Sequence, residues 1–490
     1  MNYKLSKSRI NEYLQCPKRL YLSIHHPELA DESSDLQSRF QIGHAVGDLA
    51  RRQYADGILI GDEHNNLRQA LQQTQQVLRD YPGKPIFEAT FQHEDMLIRA
   101  DLLIPGGKGY RMVEVKSSTR VKDCHLPDCA MQYWVTSNNN VRLTRVSLMH
   151  INSGFKYSKL GDYQGFFWEA DVTEEVLAQQ ENIPSWISAG KATLEGGEPN
   201  IGPGAHCSTP YECPFSSYCK RNEPEYPVEL LPKIVRGQVE ALKAQGYADI
   251  REVPAGVISQ HLLERIRRVT ASGQAELDEM VTYLMETMPY PRYYLDFETV
   301  NPAIPLWLDT RPYQQIPFQW SCHIEQENGE LHHAKFLDIS GASPMRAFAE
   351  TLIETLGVNG AILVYNAGFE TGRIRELARR YKDLAPQLTE LLERVVDLFP
   401  LARSYYYHPA MRGSWSLKAI LPTIAPDLDY SQLDEVRHGG SAQAAYLEAI
   451  APGTTDERKE KLKRALLKYC ELDTFAMVRL AQFFQSSAPE

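Results

Sequence analysis

The segment Arg292-Tyr-Tyr-Leu-Asp-Phe-Glu-Thr299 sets two carboxylates one residue apart in a run of strand-forming residues. Side chains alternate along a strand, so Asp296 and Glu298 share one face while Leu295 and Phe297 point the other way. Two acids side by side repel each other unless a cation or a shared proton lies between them. Hard oxygen ligands suit Mg²⁺ or Mn²⁺. A half-exposed edge strand with two solvated acids carries the same pattern, so the pair needs partners to mean more.

Two further segments supply them. In Ala361-Ile-Leu-Val-Tyr-Asn-Ala-Gly-Phe-Glu370 an apolar strand runs into a polar turn with Asn366, then Glu370 opens a helix predicted over 371–381. By itself this is a helix N-terminus with an acid favoured by the helix dipole. In Lys468-Tyr-Cys-Glu-Leu-Asp473, Tyr469 and Asp473 are four apart and lie on one helix face. Alone, that is an ordinary surface pair. In order and spacing, the three segments together resemble the DEDD exonucleases, the DnaQ-like proofreading family with an RNase H-like fold. That family carries Asp-x-Glu on a strand, then Asn-x₂₋₃-Phe/Tyr-Asp, then Tyr-x₃-Asp on the last helix. The chain departs at Glu370, where the family has Asp; Asp397, in the apolar Val395-Val-Asp-Leu398, is the alternative acid.

The resemblance implies a 3′–5′ exonuclease with two metal ions, one activating water and one stabilising the leaving 3′-oxygen. It implies Asp296, Glu298, Glu370 and Asp473 as ligands, Tyr469 orienting the attacking water, and Asn366 on the substrate side. Between the second and third segments, residues 405–418 mix aromatics with His408, Arg412 and Lys418. Aromatics stack on bases and cations hold phosphates, so these three are expected to bind substrate. Aromatic packing inside a loop is the competing reading.

A second set lies nearer the N-terminus. A strand over 96–104, a turn over 105–109 and a strand over 110–116 form a predicted hairpin. Glu114 and Lys116 share a face, and the hairpin brings Asp101 near them. Asp and Glu bind a metal, and a Lys stabilises charge or positions the water. Charged outer strand faces produce this short pattern often. With His44 upstream, Gln132-Tyr133 downstream, and Cys16, Cys207, Cys213 and Cys219, the region resembles the RecB/AddB-like PD-(D/E)XK nucleases that carry an iron–sulfur cluster. The resemblance implies His44, Asp101, Glu114 and Lys116 as the active site, Gln132 and Tyr133 as its third motif, and the four cysteines as ligands of a [4Fe–4S] cluster pinning the ends of the domain together. The wide Cys-x₅-Cys-x₅-Cys spacing keeps Zn²⁺ as the competing metal. Cys124 and Cys129 are alternative ligands, whereas Cys322 and Cys470 read as buried thiols. The two halves together resemble a bacterial family that joins such a domain to a DEDD-type exonuclease domain.

The elements that must position these residues fall into three regions of an α/β chain of 490 residues. Residues 1–222 form the expected PD-(D/E)XK restriction-endonuclease-like domain with its metal-cluster clamp. Residues 223–288 form an expected helical linker, with helices over 233–245 and 260–286, the latter breaking at Ser272-Gly273. Gly246 there suggests a helix-hairpin-helix DNA-binding element, against a plain spacer. Residues 289–490 form the RNase H-like domain.

The net charge of −11 excludes a generally basic, nucleic-acid-coating protein but not a local basic track. There is no apolar signal-peptide stretch at the start and no run of about 20 apolar residues for a membrane span. A cytoplasmic protein with reduced thiols is therefore expected. The expected function is a nuclease with two sites acting on single-stranded DNA ends or flaps, without a membrane partner. The alternatives are a nucleic-acid-binding iron–sulfur scaffold with one or both sites inactive, and a small-nucleotide phosphodiesterase.

Overall fold

The computed structural model describes residues 5–486, apart from 32–33, 62–66, 429, 431–432 and 434. The chain is mixed α/β and forms two units. The first holds residues Met1–Asn222 and Pro302–Tyr313; the second holds Glu223–Asn301 and Gln314–Glu490. Among the described residues, no helix is long and apolar enough to cross a membrane.

The first unit is built on strands β1 (Leu5–Ser6), β2 (Ile58–Leu59), β3 (Ile86–His93), β4 (Met96–Gly106), β5 (Gly109–Lys116), β6 (Leu143–Ile151) and β7 (Phe167–Asp171). They pair in the order β2-β3-β4-β5-β6-β7, and β1 adds to the start of β4. The predicted hairpin is β4–β5, closed at Gly106↔Gly109 with Gly107 at φ 60°, where a side chain would be strained. β5 and β6 run parallel, joined by the helix Leu126–Ser137, which buries Cys129, Met131, Gln132 and Val135.

Near the N-terminus Ser6 caps the helix Lys7–Gln15, accepting from the Arg9 N–H. Pro17 starts the next helix, Pro17–His25, where its missing N–H is harmless. Cys16 is the extended residue at the corner between the two. Residues 302–313 join this unit through Tyr157, whose backbone pairs with Asp309 and Thr310.

The second unit contains β8 (Glu276–Leu277), β9 (Arg292–Val300), β10 (Ile316–Glu325), β11 (Leu331–Leu337), β12 (Ala361–Val364), β13 (Val395–Asp397) and β14 (Tyr406–Tyr407). Its main sheet runs β11-β10-β9-β12-β13. The first three strands are antiparallel, and β12 and β13 are parallel to β9. The helix Met345–Leu356 covers one face, setting Phe348 edge-on to Phe297. The C-terminal helix, Asp456–Gln485, covers the other. Thr455 caps it, and Asp456 and Glu457 meet the positive end of its dipole. Its Leu466 carbonyl accepts from Gln319 on β10, and Thr474 hydrogen-bonds Ser321.

Residues 223–288 belong to this second unit. Val228, Leu231, Ile266 and Met285 share one buried core with Tyr294, Leu363 and Phe484. The predicted helices appear as Arg236–Ala244, His261–Ser272 and Met280–Glu286. The expected break at Ser272-Gly273 is a left-handed C-cap, with Gly273 at φ 73°.

Candidate functional site

β9 is buried on both faces, yet the face toward the C-terminal helix carries Asp296 and Glu298. That helix answers with Asp473, and carboxylate oxygens of Asp296, Glu298 and Asp473 lie within 4.8 Å of one another. Cys470, one helical turn before Thr474, sets its thiol 3.5 Å from Asp296 Oδ2. Tyr430 donates to Asp473 Oδ1 at 2.5 Å, and Tyr469 stands one helical turn before Asp473. Lys418 Nζ lies 4.8 Å from the centre of the Tyr430 ring and 5.3 Å from that of Tyr469.

The electrostatics follow from burial and crowding. Burial, then the charges of Asp473, Glu298 and Glu370, push Asp296 well above the usual carboxylate range. Burial and Asp473 push Glu298 up to about 8, against the pull of Lys418. Burial raises Asp473, opposed by the Tyr430 hydrogen bond, Lys418 and Tyr469. Three acids that resist ionising have been folded onto one spot, an arrangement a divalent cation relieves.

Glu370, the expected fourth ligand, stands outside the three-carboxylate set. It is 2% exposed, its Oε2 has no hydrogen-bond partner among the described residues, and burial lifts it to about 7. Its charge nonetheless raises Asp296, so it is a near neighbour of the set. Asp397, the alternative acid, is engaged in structure. It accepts from the backbone N–H groups of Asn366, Ala367 and Phe399 at 2.9, 2.9 and 3.0 Å. Those bonds hold Asn366 in the left-handed region, at φ 70°, and so fix the turn that leads to Glu370.

Of the residues expected to bind substrate, Lys418 lies against this site. His408 instead caps its own turn, accepting from the Ala410 N–H, and Arg412 lies over the Tyr226 ring. The surrounding aromatics are mostly core: Tyr406, Tyr407 and Trp415 are buried, as is Met411 beside them. The competing reading of that stretch, aromatic packing, describes it better.

In the first unit Glu114 is 2% exposed and its carboxylate is fully engaged. Oε1 accepts from Lys7 and Lys116, each at 2.8 Å, and Oε2 accepts from Gln132. Lys116 also bonds Asp128 Oδ2 at 2.5 Å, and Asn11 bonds Asp128 Oδ1 at 2.5 Å. Asp101 accepts from the Val115 N–H at 2.7 Å. Burial works against every charge here, but Lys116 and Lys7 hold Glu114 below the usual range, and Lys7 with Lys116 does the same for Asp128. Asp101, buried and facing Glu114, is pushed well up. Two lysines thus balance two carboxylates. Glu88, between the paired residues Phe87 and Ala89 of β3, has φ 55°, a strained setting for a residue with a side chain.

Spacing alone did not reveal Lys7 and Asp128. His44 is exposed on the helix Ser34–Arg51, and Tyr133 packs against the core of the sheet.

Cys16, Cys207, Cys213 and Cys219 are free thiols. Gln15 ties the corner at Cys16 to the distant cysteine loop, donating to the His206 and Tyr211 carbonyls at 2.7 Å each. The Cys213 N–H donates to the Cys207 carbonyl at 2.7 Å. Burial raises the thiols of Cys213 and Cys219, and Cys207 and Cys16 raise both further. The four sulfurs do not form a set lying within 4.8 Å of one another. Cys124 instead contacts the Tyr211 hydroxyl, and Cys129 is sealed in the core.

Residues 293–416 match a family described as a domain of unknown function, DUF2779. The match spans Asp296, Glu298 and Glu370 and stops before Tyr469 and Asp473. The chain is 21% identical over 277 residues to uncharacterized protein UU173 of Ureaplasma parvum, covering 52% of this chain and 40% of that protein. It is 22% identical over 215 residues to uncharacterized protein MG366 of Mycoplasma genitalium, covering 40% of this chain and 32% of that protein. A homolog of MG366 in Mycoplasma pneumoniae is 24% identical over 214 residues, with the same coverage of each chain. The chain thus spans well under half the length of these relatives. No solved structure matches it.

Proposed function

We propose that the second unit is a metal-dependent phosphodiester hydrolase that trims nucleic-acid ends, in the manner of a 3′–5′ exonuclease on single strands. The observation that carries this is the convergence of Asp296, Glu298 and Asp473 within 4.8 Å in a buried setting. An all-oxygen donor set of this kind fits Mg²⁺ or Mn²⁺. Asp296, Glu298 and Asp473 would hold the metal, with Glu370 the next carboxylate at hand. A divalent ion there supplies an activated water and offsets the charge of the phosphodiester.

The chain's own residues do the rest. Tyr430 fixes the Asp473 carboxylate by a hydrogen bond, and Tyr469 stands beside it on the same helix face. Lys418, whose Nζ donates to the Arg437 carbonyl, brings a positive charge to the Tyr430 and Tyr469 rings, one that a substrate phosphate could share. On the preceding turns of the C-terminal helix, Lys461, Arg464 and Lys468 line a groove with Leu433 and Val436. Glu435 lines the same groove and pairs with Lys461 at 2.6 Å, which leaves Arg464 and Lys468 as the cations that could meet a phosphate backbone.

For the first unit the proposal is a second nuclease site built on Asp101, Glu114, Lys116 and Gln132, clamped by a [4Fe–4S] cluster on Cys16, Cys207, Cys213 and Cys219. Four thiols drawn from both ends of the unit support the clamp. One observation favours a second reading, that this unit binds nucleic acid without cutting it. Glu114 already carries Lys7, Lys116 and Gln132, so a metal ion entering there must displace a lysine.

The test is a panel of end-labelled DNA and RNA strands and dinucleotides, incubated with Mg²⁺ or Mn²⁺. Shortening from the 3′ end supports the reading. Failure of the wild-type protein to cut any of them rejects it.

A further inference from the structure

A second group of ligand-type side chains meets the C-terminal helix close to Asp473, around Glu471 and Thr474. His323 on β10 and His333 on β11 are directly paired across the two strands, with ring centres 4.6 Å apart. Glu471, on the helix, sets Oε1 3.7 Å from His333 Nδ1. One ligand atom from each of His323, His333 and Glu471 lies within 4.8 Å of the others. Nothing in the proposed hydrolytic reaction uses them.

The imidazole protons are assigned from the hydrogen-bond distances around the rings. Thr474 Oγ1 lies 3.0 Å from the Glu471 carbonyl, the usual acceptor for a threonine hydroxyl in a helix. Having given its proton there, Thr474 can only accept from its other two neighbours. These are Ser321 Oγ at 2.9 Å and His323 Nδ1 at 2.8 Å. Ser321 therefore donates to Thr474 and accepts from His333 Nε2, at 2.9 Å. Each imidazole is neutral with its proton committed to a hydroxyl. The lone pairs remain on His323 Nε2 and His333 Nδ1, and the second faces the Glu471 carboxylate with no proton between them.

A lone pair set against a carboxylate is repulsive without a cation. Metal-binding histidines characteristically donate their second ring N–H to an outer partner that fixes the tautomer, and Ser321 and Thr474 do this for both rings. We propose that His323, His333 and Glu471 bind one divalent transition-metal ion of the zinc class, separate from the carboxylate site. Two imidazoles and one carboxylate are borderline donors, which select Zn²⁺ or Co²⁺ over Mg²⁺. His333 and Glu471 have side chains 17% and 45% exposed, which gives the ion a way in, while His323 is buried. Such an ion ties the C-terminal helix to β10 and β11 beside Asp473, so it also steadies the helix that carries the hydrolytic residues.

The experiment uses the full-length chain stripped of metal. It is held in excess Mg²⁺ and dialysed against Zn²⁺, with bound metal counted by elemental analysis; Co²⁺ titration followed by visible absorbance is the second readout. Wild type is expected to bind one more equivalent than His333→Ala. Glu471→Gln, a change at a half-exposed carboxylate, is expected to weaken that equivalent at least about tenfold. Ser321→Ala is expected to weaken it by roughly 10–100-fold, the usual effect of losing an outer partner. Asp296→Asn and Cys213→Ser should each retain it, so the result does not depend on the hydrolytic reading or on the cysteine cluster. Should His333→Ala fail to fold, Glu471→Gln and Ser321→Ala decide the matter. Unchanged stoichiometry and affinity in the folded variants would overturn the proposal.

Discussion

Replacing Glu298 by Gln removes one acid from the buried set while keeping its size. In the metal-free chain the Glu298 carboxyl keeps its proton up to about 8, against an ordinary 4.5, because burial and Asp473 disfavour its charge. The folded state therefore holds a proton that the unfolded state releases. Stability is greatest below the ordinary value and is lost as pH rises toward 8. At roughly 1.4 kcal/mol per pH unit the ceiling on that loss is about 5 kcal/mol. Glu298 shares the site with Asp473, so a realised loss of roughly half is expected. In a unit of this size that lowers the melting temperature by about 5–10 °C between pH 5 and pH 8.5. On the proposed reading Mg²⁺ would bind the ionised set of the folded state, so adding it should restore much of the loss. Scanning calorimetry of the chelator-treated chain across that pH range measures the slope. Glu298→Gln should flatten it and blunt the Mg²⁺ response. An identical slope and an identical Mg²⁺ shift in wild type and variant would refute the reasoning.

Three more expectations follow from named contacts. Lys7→Met leaves Glu114 and Asp128 with one lysine between them in a buried site, and should destabilise the first unit by roughly 3–5 kcal/mol, read by denaturant melts. Tyr430→Phe deletes a hydrogen bond to the Asp473 carboxylate worth about 1.5–3 kcal/mol. It should slow any hydrolysis roughly tenfold or more in single-turnover assays, with the chain still folded. Cys213→Ser should abolish the brown colour and visible absorbance of protein purified without oxygen. A colourless wild type containing zinc would replace the cluster with a zinc site.

What the sequence made legible were short-range periodicities. Alternation on β9 put Asp296 and Glu298 on one face, and a four-residue step put Tyr469 and Asp473 on another. The Gly-rich turn closed the β4–β5 hairpin and brought Asp101 to the strand that carries Glu114. The Ser272-Gly273 break was visible because a glycine there admits the left-handed cap.

What was not legible depended on long-range pairing. Lys7 reaches Glu114 only because β1 adds to the start of β4, which nothing near residue 7 announces. Asp128 did carry a signal, since it stands four residues before Gln132 on one helix face. Residues 405–418 looked like a stacking surface because composition does not reveal that β14 pairs with β8 and turns its tyrosines inward. His323 and His333 lie ten residues apart, and only the β10–β11 register brings them together.

The most direct test of the central claim compares wild type with Asp296→Ala and Lys116→Ala on a 5′-labelled single strand in Mg²⁺ or Mn²⁺. Wild type should yield a ladder shortening from the 3′ end. Asp296→Ala should lose that activity by at least about 10²–10³-fold, whereas Lys116→Ala should keep it and lose only a separate second cleavage. Full 3′-end trimming by Asp296→Ala would contradict the account.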